Sequence, residues 1–300
     1  MAAPARICSL LPSATEIVAA LGCADRLVGR SEECNYPPQV AALPVVSAAR
    51  IDTSQLGSGD IDAAVRESLL DGRSLYGVDR ALLERLRPDL VITQDLCRVC
   101  AVSSHELRDV SDLGVAVLAL DPRTIEGIAA SIHTLADQLG VPADGERVAS
   151  HMTEAMQGVR RATAGQPTPG VAVMEWLDPP FAAGHWVPEM VEAAGGRELL
   201  GRPGEPSRRL TWEEVRAAEP ELLVLAPCGF TAERAAAEAH AVPDLGCRVV
   251  AVHGDAYFSR PAPRVAEGIA QLAHLLHPEV VPDPGLPAIE VRSGGRVSPA

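Results

Sequence analysis

Arg6-Ile7-Cys8-Ser9-Leu10-Leu11-Pro12-Ser13-Ala14-Thr15-Glu16-Ile17-Val18-Ala19-Ala20-Leu21-Gly22 holds a strand, a turn and a helix in one short stretch. Residues 6–10 are apolar enough for a buried strand, and Pro12 to Glu16 opens a helix. Ser13 suits the N-cap, with Glu16 three residues on to complete a capping box. Ile17, Val18 and Leu21 supply one apolar face, and Gly22 fits the stop. Arg26 to Gly29 follows as the next strand, so the chain starts as β-α-β.

The alternation continues outward. Helices are expected from Ser58 or Asp60 to Leu70 and from Asp79 to Arg87, and strands over Leu90–Thr93 and Val115–Leu120. Strands alternating with helices predict a parallel sheet with helices on its faces. From Arg123 to about Ala164 the pattern is helical, with Ile125, Ile128, Ile132, Leu135 and Leu139 in register and a break at Gly140-Val141-Pro142. A second β/α series runs over strand 171–176, helix 188–194, helix 212–218, strand 222–226, helix 231–238, strand 248–252 and helix 262–276. The fold class is therefore α/β: two Rossmann-like lobes, residues 1–122 and 166–278, joined by a long bridging helix over 123–165. Pro, Gly and Ser dominate 279–300, which predicts a disordered tail.

Composition narrows the function classes. The 300 residues are 47% hydrophobic but only 3% aromatic, so Ala, Leu and Val must do the packing. All of the basic residues are Arg, and the net charge of -14 argues against nucleic acid as a partner. No run reaches the roughly 18 apolar residues that a membrane-spanning helix needs. The N-terminal stretch lacks the basic and apolar regions of a signal peptide, and no lipobox is seen, so a cytoplasmic location is expected. An odd count of seven cysteines in a reducing compartment argues against a disulfide framework. No Gly-x-Ser-x-Gly elbow, phosphate loop or dinucleotide fingerprint occurs, and no enzyme activity is expected.

What stands out is the set of residues placed just after expected strands, where an open α/β sheet gathers its ligand. Cys34, Cys97, Cys100 and Cys228 are four such thiols, and His185-Trp186 follows the strand 171–176. Cys97-x-x-Cys100 suits a zinc half-site, a redox pair or two idle thiols. Taken with Cys34 and Cys228, it makes a candidate metal set for zinc or an iron–sulfur cluster. Trp176, Trp186, Phe181, Tyr36 and Phe258 are most of the large rings of an aromatic-poor chain, and rigid rings suit the walls for a flat macrocycle. Arg260 presents a planar fork to the periphery of a ligand or to a structural carboxylate.

The motifs in order resemble a known family. Ser9-Leu10-Leu11-Pro12-Ser13-Ala14-Thr15-Glu16, Leu27-Val28-Gly29-Arg30-Ser31, Tyr36-Pro37-Pro38 and Arg87-Pro88-Asp89-Leu90-Val91-Ile92 resemble the N-terminal lobe of the cobalamin-binding proteins of ABC uptake systems. Asp178-Pro179-Pro180-Phe181 with Gly184, and Tyr257-Phe258-Ser259-Arg260-Pro261-Ala262-Pro263-Arg264, look like segments of its second lobe. The resemblance spans roughly residues 6–277. It implies the fold of receptors for iron-siderophores, haem or cobalamin, with a ligand cleft between two rigid lobes bridged by a long helix. It implies cobalamin or a related corrinoid or metal chelate as ligand, with His185 or a thiol facing the metal. The Cys97–Cys100 pair and the thiols Cys34 and Cys228 are departures from the exported members. Members dock on a permease through an acid on each lobe; here Glu213 and Asp79 are the candidates, and docking on an ABC permease is not expected.

Overall fold

A computed structural model describes residues 3–71, 73–95, 102, 114–292 and 296–297. The chain divides into two compact units: residues 1–55, 63–122 and 126–150, and residues 56–62, 123–125 and 151–300.

The first unit is built on a six-stranded sheet of order β4-β3-β2-β1-β5-β6. Its strands are β1 Ile7–Ser9, β2 Leu27–Ser31, β3 Val45–Ala49, β4 Tyr76–Val78, β5 Leu90–Thr93 and β6 Ala116–Ala119. All neighbours run parallel except β3 and β4, which pair antiparallel. Strands β1 and β5 are buried along their whole length, which fits their largely apolar sequence, with only Ser9 and Thr93 polar. At Gly29 an added Cβ would lie 2.6 Å from Cys8 Sγ and 2.8 Å from Val46 Cγ2, so the centre of this core has no room for a side chain there.

The helices are α1 Pro12–Ala20, α2 Ser58–Leu70, α3 Arg80–Leu86, α4 Ile125–Leu139 and α5 Pro142–Ala162. The start of α1 corrects the expected capping box. Pro12 is the first helical residue, Leu11 holds the N-cap position, and no side chain caps the helix. Proline's fixed φ suits the first helical position and sets the start two residues earlier, so Ser13 falls inside the first turn, where it cannot cap. Asp79 caps α3 by accepting the Leu82 amide at 2.8 Å. The break between α4 and α5 falls where Gly140 takes a left-handed φ of 72°. Rather than forming a separate bridge over 123–165, these helices are shared out: residues 126–150 group with the first unit and the rest of α5 with the second.

The second unit carries an eight-stranded sheet of order β10-β8-β7-β11-β12-β13-β14, with β9 also on β7. The strands are β7 Gly170–Leu177, β8 Pro180–Ala182, β9 Arg197–Glu198, β10 Arg208–Arg209, β11 Leu222–Leu225, β12 Arg248–Val252, β13 Ala288–Arg292 and β14 Arg296–Val297. Its helices are α6 Val187–Ala193, α7 Trp212–Ala217, α8 Ala232–Ala237, α9 Gly254–Tyr257 and α10 Val265–Leu276. Parallel β7, β11 and β12 form the centre, and β8 turns back antiparallel along β7. The expected disordered tail is corrected over 288–292: β13 adds to the sheet antiparallel to β12, with Val250 opposite Glu290. Composition signalled Pro and Gly but not the alternating Ala288-Ile289-Glu290-Val291 strand among them.

Strands β8 and β9 share one edge of β7, and Glu198 sits at their junction. Its Oε1 accepts the amides of Leu200 and Gly201 at 3.0 Å each, while Oε2 is buried with no hydrogen-bond partner. Burial raises this carboxyl to about 7, against the backbone N–H groups that would lower it.

Candidate functional site

The carboxyl ends of β7, β11 and β12 gather the chemistry of the second unit. At the end of β7, the indole N–H of Trp176 is shared between the carbonyls of Ser58 and Asp178, each 3.2 Å away. The chain then reverses through Asp178-Pro179, a cis peptide, into β8. The register sets Trp176 opposite Phe181, and Phe181 opposite Arg209 on β10. Residues directly opposite in antiparallel pairs put their side chains on the same face. Trp176, Phe181 and Arg209 therefore form one row across three strands. Both rings of that row are half-buried and the arginine is exposed.

Phe230, just past β11, packs edge-on to Trp176 with ring centroids 5.5 Å apart. The Arg234 guanidinium lies 3.9 Å over the Phe230 ring and donates to the Leu56 carbonyl at 3.1 Å. Glu238 accepts both the amide and the hydroxyl of Ser58. These bonds explain why residues 56–62, though early in the chain, belong to the second unit. Cys228 is half-buried here, and its amide donates to the Glu175 carbonyl at 3.1 Å.

At the end of β12, His253 caps α9: Nδ1 accepts the Ala256 amide at 3.2 Å. That bond assigns the proton of the neutral ring to Nε2. Burial and the cations Arg260 and Arg264 hold the imidazole below its usual range, against Asp255 and Glu233. Gly254 permits the close turn, since an added Cβ would sit 2.4 Å from the Pro227 carbonyl oxygen.

Several expected ligand contacts lie elsewhere. Trp186 is 5% exposed and donates its indole N–H to the Phe258 carbonyl at 2.9 Å, and Phe258 is itself 2% exposed. Both rings are core packing rather than exposed walls. Arg260 is 4% exposed and is held by Asp255 at 2.7 and 3.2 Å, so its fork is used inside the protein. His185 follows the far end of β8, not the carboxyl end of β7. The Ala183 amide already bonds the Val173 carbonyl, half-way back along β7. The His185 backbone is left-handed, φ 54°; its carbonyl accepts the Gly204 amide at 2.9 Å and its amide donates to the Glu205 carbonyl at 2.7 Å. Burial, then Arg123, lowers the pKa of its ring.

In the first unit, Tyr36 follows β2 and is 41% exposed. Cys34 is fully buried, with Sγ 3.0 Å from Thr15 Oγ1 and 3.7 Å from the Ser9 carbonyl. Burial, with Cys34 adding to it, pushes the neighbouring Cys8 thiol up to about 12. Cys97 and Cys100 lie outside the described residues. Among the described residues, no three or more His, Cys, Asp or Glu side chains are grouped to hold a metal ion, so the zinc or iron–sulfur alternative gains no support. No helix among them is long and apolar enough to cross a membrane. Of the two acids considered for docking, Glu213 is exposed on α7, whereas Asp79 is used as the α3 cap.

Reasoning from the sequence missed Phe230, Arg234, Glu238 and Arg209. Phe230 follows a strand just as Cys228 does and was open to the same criterion; the other three needed the register or the tertiary fold.

Two α/β units, the second with rings at the carboxyl edge of its sheet, describe a binding protein. The chain belongs to the periplasmic binding protein family, whose sequence pattern matches residues 7–241. It is 25% identical over 281 residues to the vitamin B12-binding protein of Vibrio cholerae serotype O1, covering 90% of this chain and 88% of that one. Against the vitamin B12-binding protein of Photorhabdus laumondii it is 24% identical over 279 residues, covering 92% and 89%. Among solved structures, the periplasmic vitamin B12 binding protein of Vibrio cholerae matches with a TM-score of 0.62 at 21% identity, over 92% of this chain and 98% of that one. A periplasmic heme binding protein from Pseudomonas aeruginosa matches with a TM-score of 0.69 at 19% identity, over 99% of each chain. These structural likenesses establish the shared fold.

Proposed function

We propose that the protein is a non-enzymatic binding protein for a cobalt-containing corrinoid of the cobalamin type. The observation that carries the reading is the Trp176–Phe181 pair, two half-buried rings side by side at the carboxyl edge of the second unit. A flat macrocycle needs rigid apolar area, which rings supply at little entropic cost. The vitamin B12-binding relatives, matched along about nine-tenths of both chains, favour the corrinoid over other macrocycles.

The test is an anaerobic titration of the full chain with aquacobalamin, following the visible spectrum, with haemin in a parallel series. Saturable band shifts with cobalamin, weakened at least tenfold by Trp176→Ala, are expected. Saturation by haemin alone would replace the corrinoid with a porphyrin, and no response to either would end the reading.

A further inference from the structure

Arg209 is out of keeping with its surroundings. The chain carries a net charge of -14, and its neighbour Arg208 is paired to Glu214 at 3.3 Å. The Arg209 side chain is exposed and makes no ion pair or hydrogen bond with any described residue. Its strand is only two residues long, and the register fixes its position: directly opposite Phe181, which is directly opposite Trp176. The two other arginines at this edge that might serve a ligand are engaged, Arg260 by Asp255 and Arg234 by Phe230 and the Leu56 carbonyl. The row thus runs ring, ring, guanidinium, an apolar surface ending in an uncommitted cation.

From this row we infer that Arg209 is the specificity residue of the ring surface, binding an oxyanion on the rim of the ligand that lies over Trp176 and Phe181. The inference rests on the corrinoid reading and narrows it. A guanidinium forks onto phosphate or carboxylate oxygens and gains little from neutral amides. A corrinoid that keeps its nucleotide phosphodiester meets that demand. One stripped to the ring and its amide side chains does not. A porphyrin could meet it with a carboxylate, so the experiment must separate the two sources.

Affinities of aquacobalamin, dicyanocobinamide and haemin are measured by titration for the full-length wild type, Arg209→Gln and Arg209→Lys at low and high salt. Arg209 lies on the surface, where such changes leave the fold intact; an unchanged unfolding midpoint checks this. The expected result is that Arg209→Gln weakens cobalamin about five- to twentyfold, as the loss of a charged hydrogen bond does. Cobinamide should be unchanged, and Arg209→Lys intermediate. Salt should weaken cobalamin but not cobinamide in the wild type. Equal loss for cobalamin and cobinamide, or no loss for either, overturns the role of Arg209 while leaving the corrinoid reading in place. If the wild type binds neither corrinoid, that reading falls and the phosphodiester assignment with it. If the variant loses haemin alone, the oxyanion is the porphyrin carboxylate and the corrinoid assignment is overturned.

Discussion

Ser58 gives both its amide and its hydroxyl to one oxygen of Glu238, at 3.1 and 2.9 Å, across 180 residues of sequence. Ser58 is 1% exposed, so neither donor has water as a substitute. The bonds hold the first turn of α2 on the second unit, and the Ser58 carbonyl left at that turn takes up the indole N–H of Trp176. One carboxylate thereby positions a ring of the candidate site.

Replacing Glu238 should therefore cost more than replacing Ser58. Glu238→Ala strands two buried donors and should lower stability by about 2–3 kcal/mol, whereas Ser58→Ala removes one bond and should cost about 1 kcal/mol. Urea unfolding midpoints measure both. Hydrogen exchange at the Ser58 amide should speed up in Glu238→Ala alone; equal protection in the two variants would show that the carboxylate does not hold this turn.

Glu198 makes stability depend on pH. Its carboxyl is raised to about 7 in the folded protein, above the ordinary 4.5. The fold therefore favours the protonated form. The associated stability is fully present below pH 4.5, is lost as pH rises toward 7, and stays lost above that. The shift corresponds to about 3 kcal/mol. Glu198→Gln should flatten the stability profile between about pH 5 and pH 7.5, measured by denaturant unfolding at each pH. An unchanged slope in the variant would assign the pH dependence to another group.

The same residues show what a sequence can and cannot reveal. Placing ligand residues at strand ends puts Trp176 near the carboxyl end of β7, as the penultimate residue of a strand that pairs parallel to β11. It failed for His185, because Asp178-Pro179 reverses the chain and β8 carries it back along β7 before His185 is reached. It failed for Cys34 because the strand end is roofed by Ser9 and Thr15, contacts that no spacing encodes. Trp186, Phe258 and Arg260 are residue types that suit a ligand wall, but whether a ring or an arginine serves a ligand or the core depends on its burial in the tertiary fold, and all three are buried. Arg209 carries no local signal at all; its meaning comes from register across three strands.

Trp176 and Trp186 should respond in opposite ways. Trp186→Phe leaves the buried Phe258 carbonyl without its donor, so a loss of about 1–3 kcal/mol in stability is expected, with cobalamin affinity within twofold of wild type. Trp176→Phe keeps ring area and should cost less than 1 kcal/mol, while Trp176→Ala should lose affinity as well. Unfolding midpoints and spectral titrations on the same preparations separate the two effects. A large affinity loss in Trp186→Phe at unchanged stability would restore Trp186 as a ligand wall.

His253 tests the division between structure and metal chemistry. Its Nδ1 is occupied by the Ala256 amide, so the neutral ring carries its proton on Nε2 and has no free lone pair for cobalt. Ligation would require the tautomer to switch and the cap to be lost. His253→Ala should cost about 1 kcal/mol, the usual penalty for losing a cap, and His253→Asn should restore most of it, because Asn is a good N-cap. With aquacobalamin, both variants should give the same cobalt spectrum as the wild type. Nitrogen NMR of the free protein should show Nδ1 as the unprotonated ring nitrogen near pH 7, where burial and the nearby arginines keep the ring neutral. Should Nδ1 carry the proton instead, and the spectrum of the cobalamin complex change on His253→Asn, the imidazole would be a cobalt ligand and not a cap.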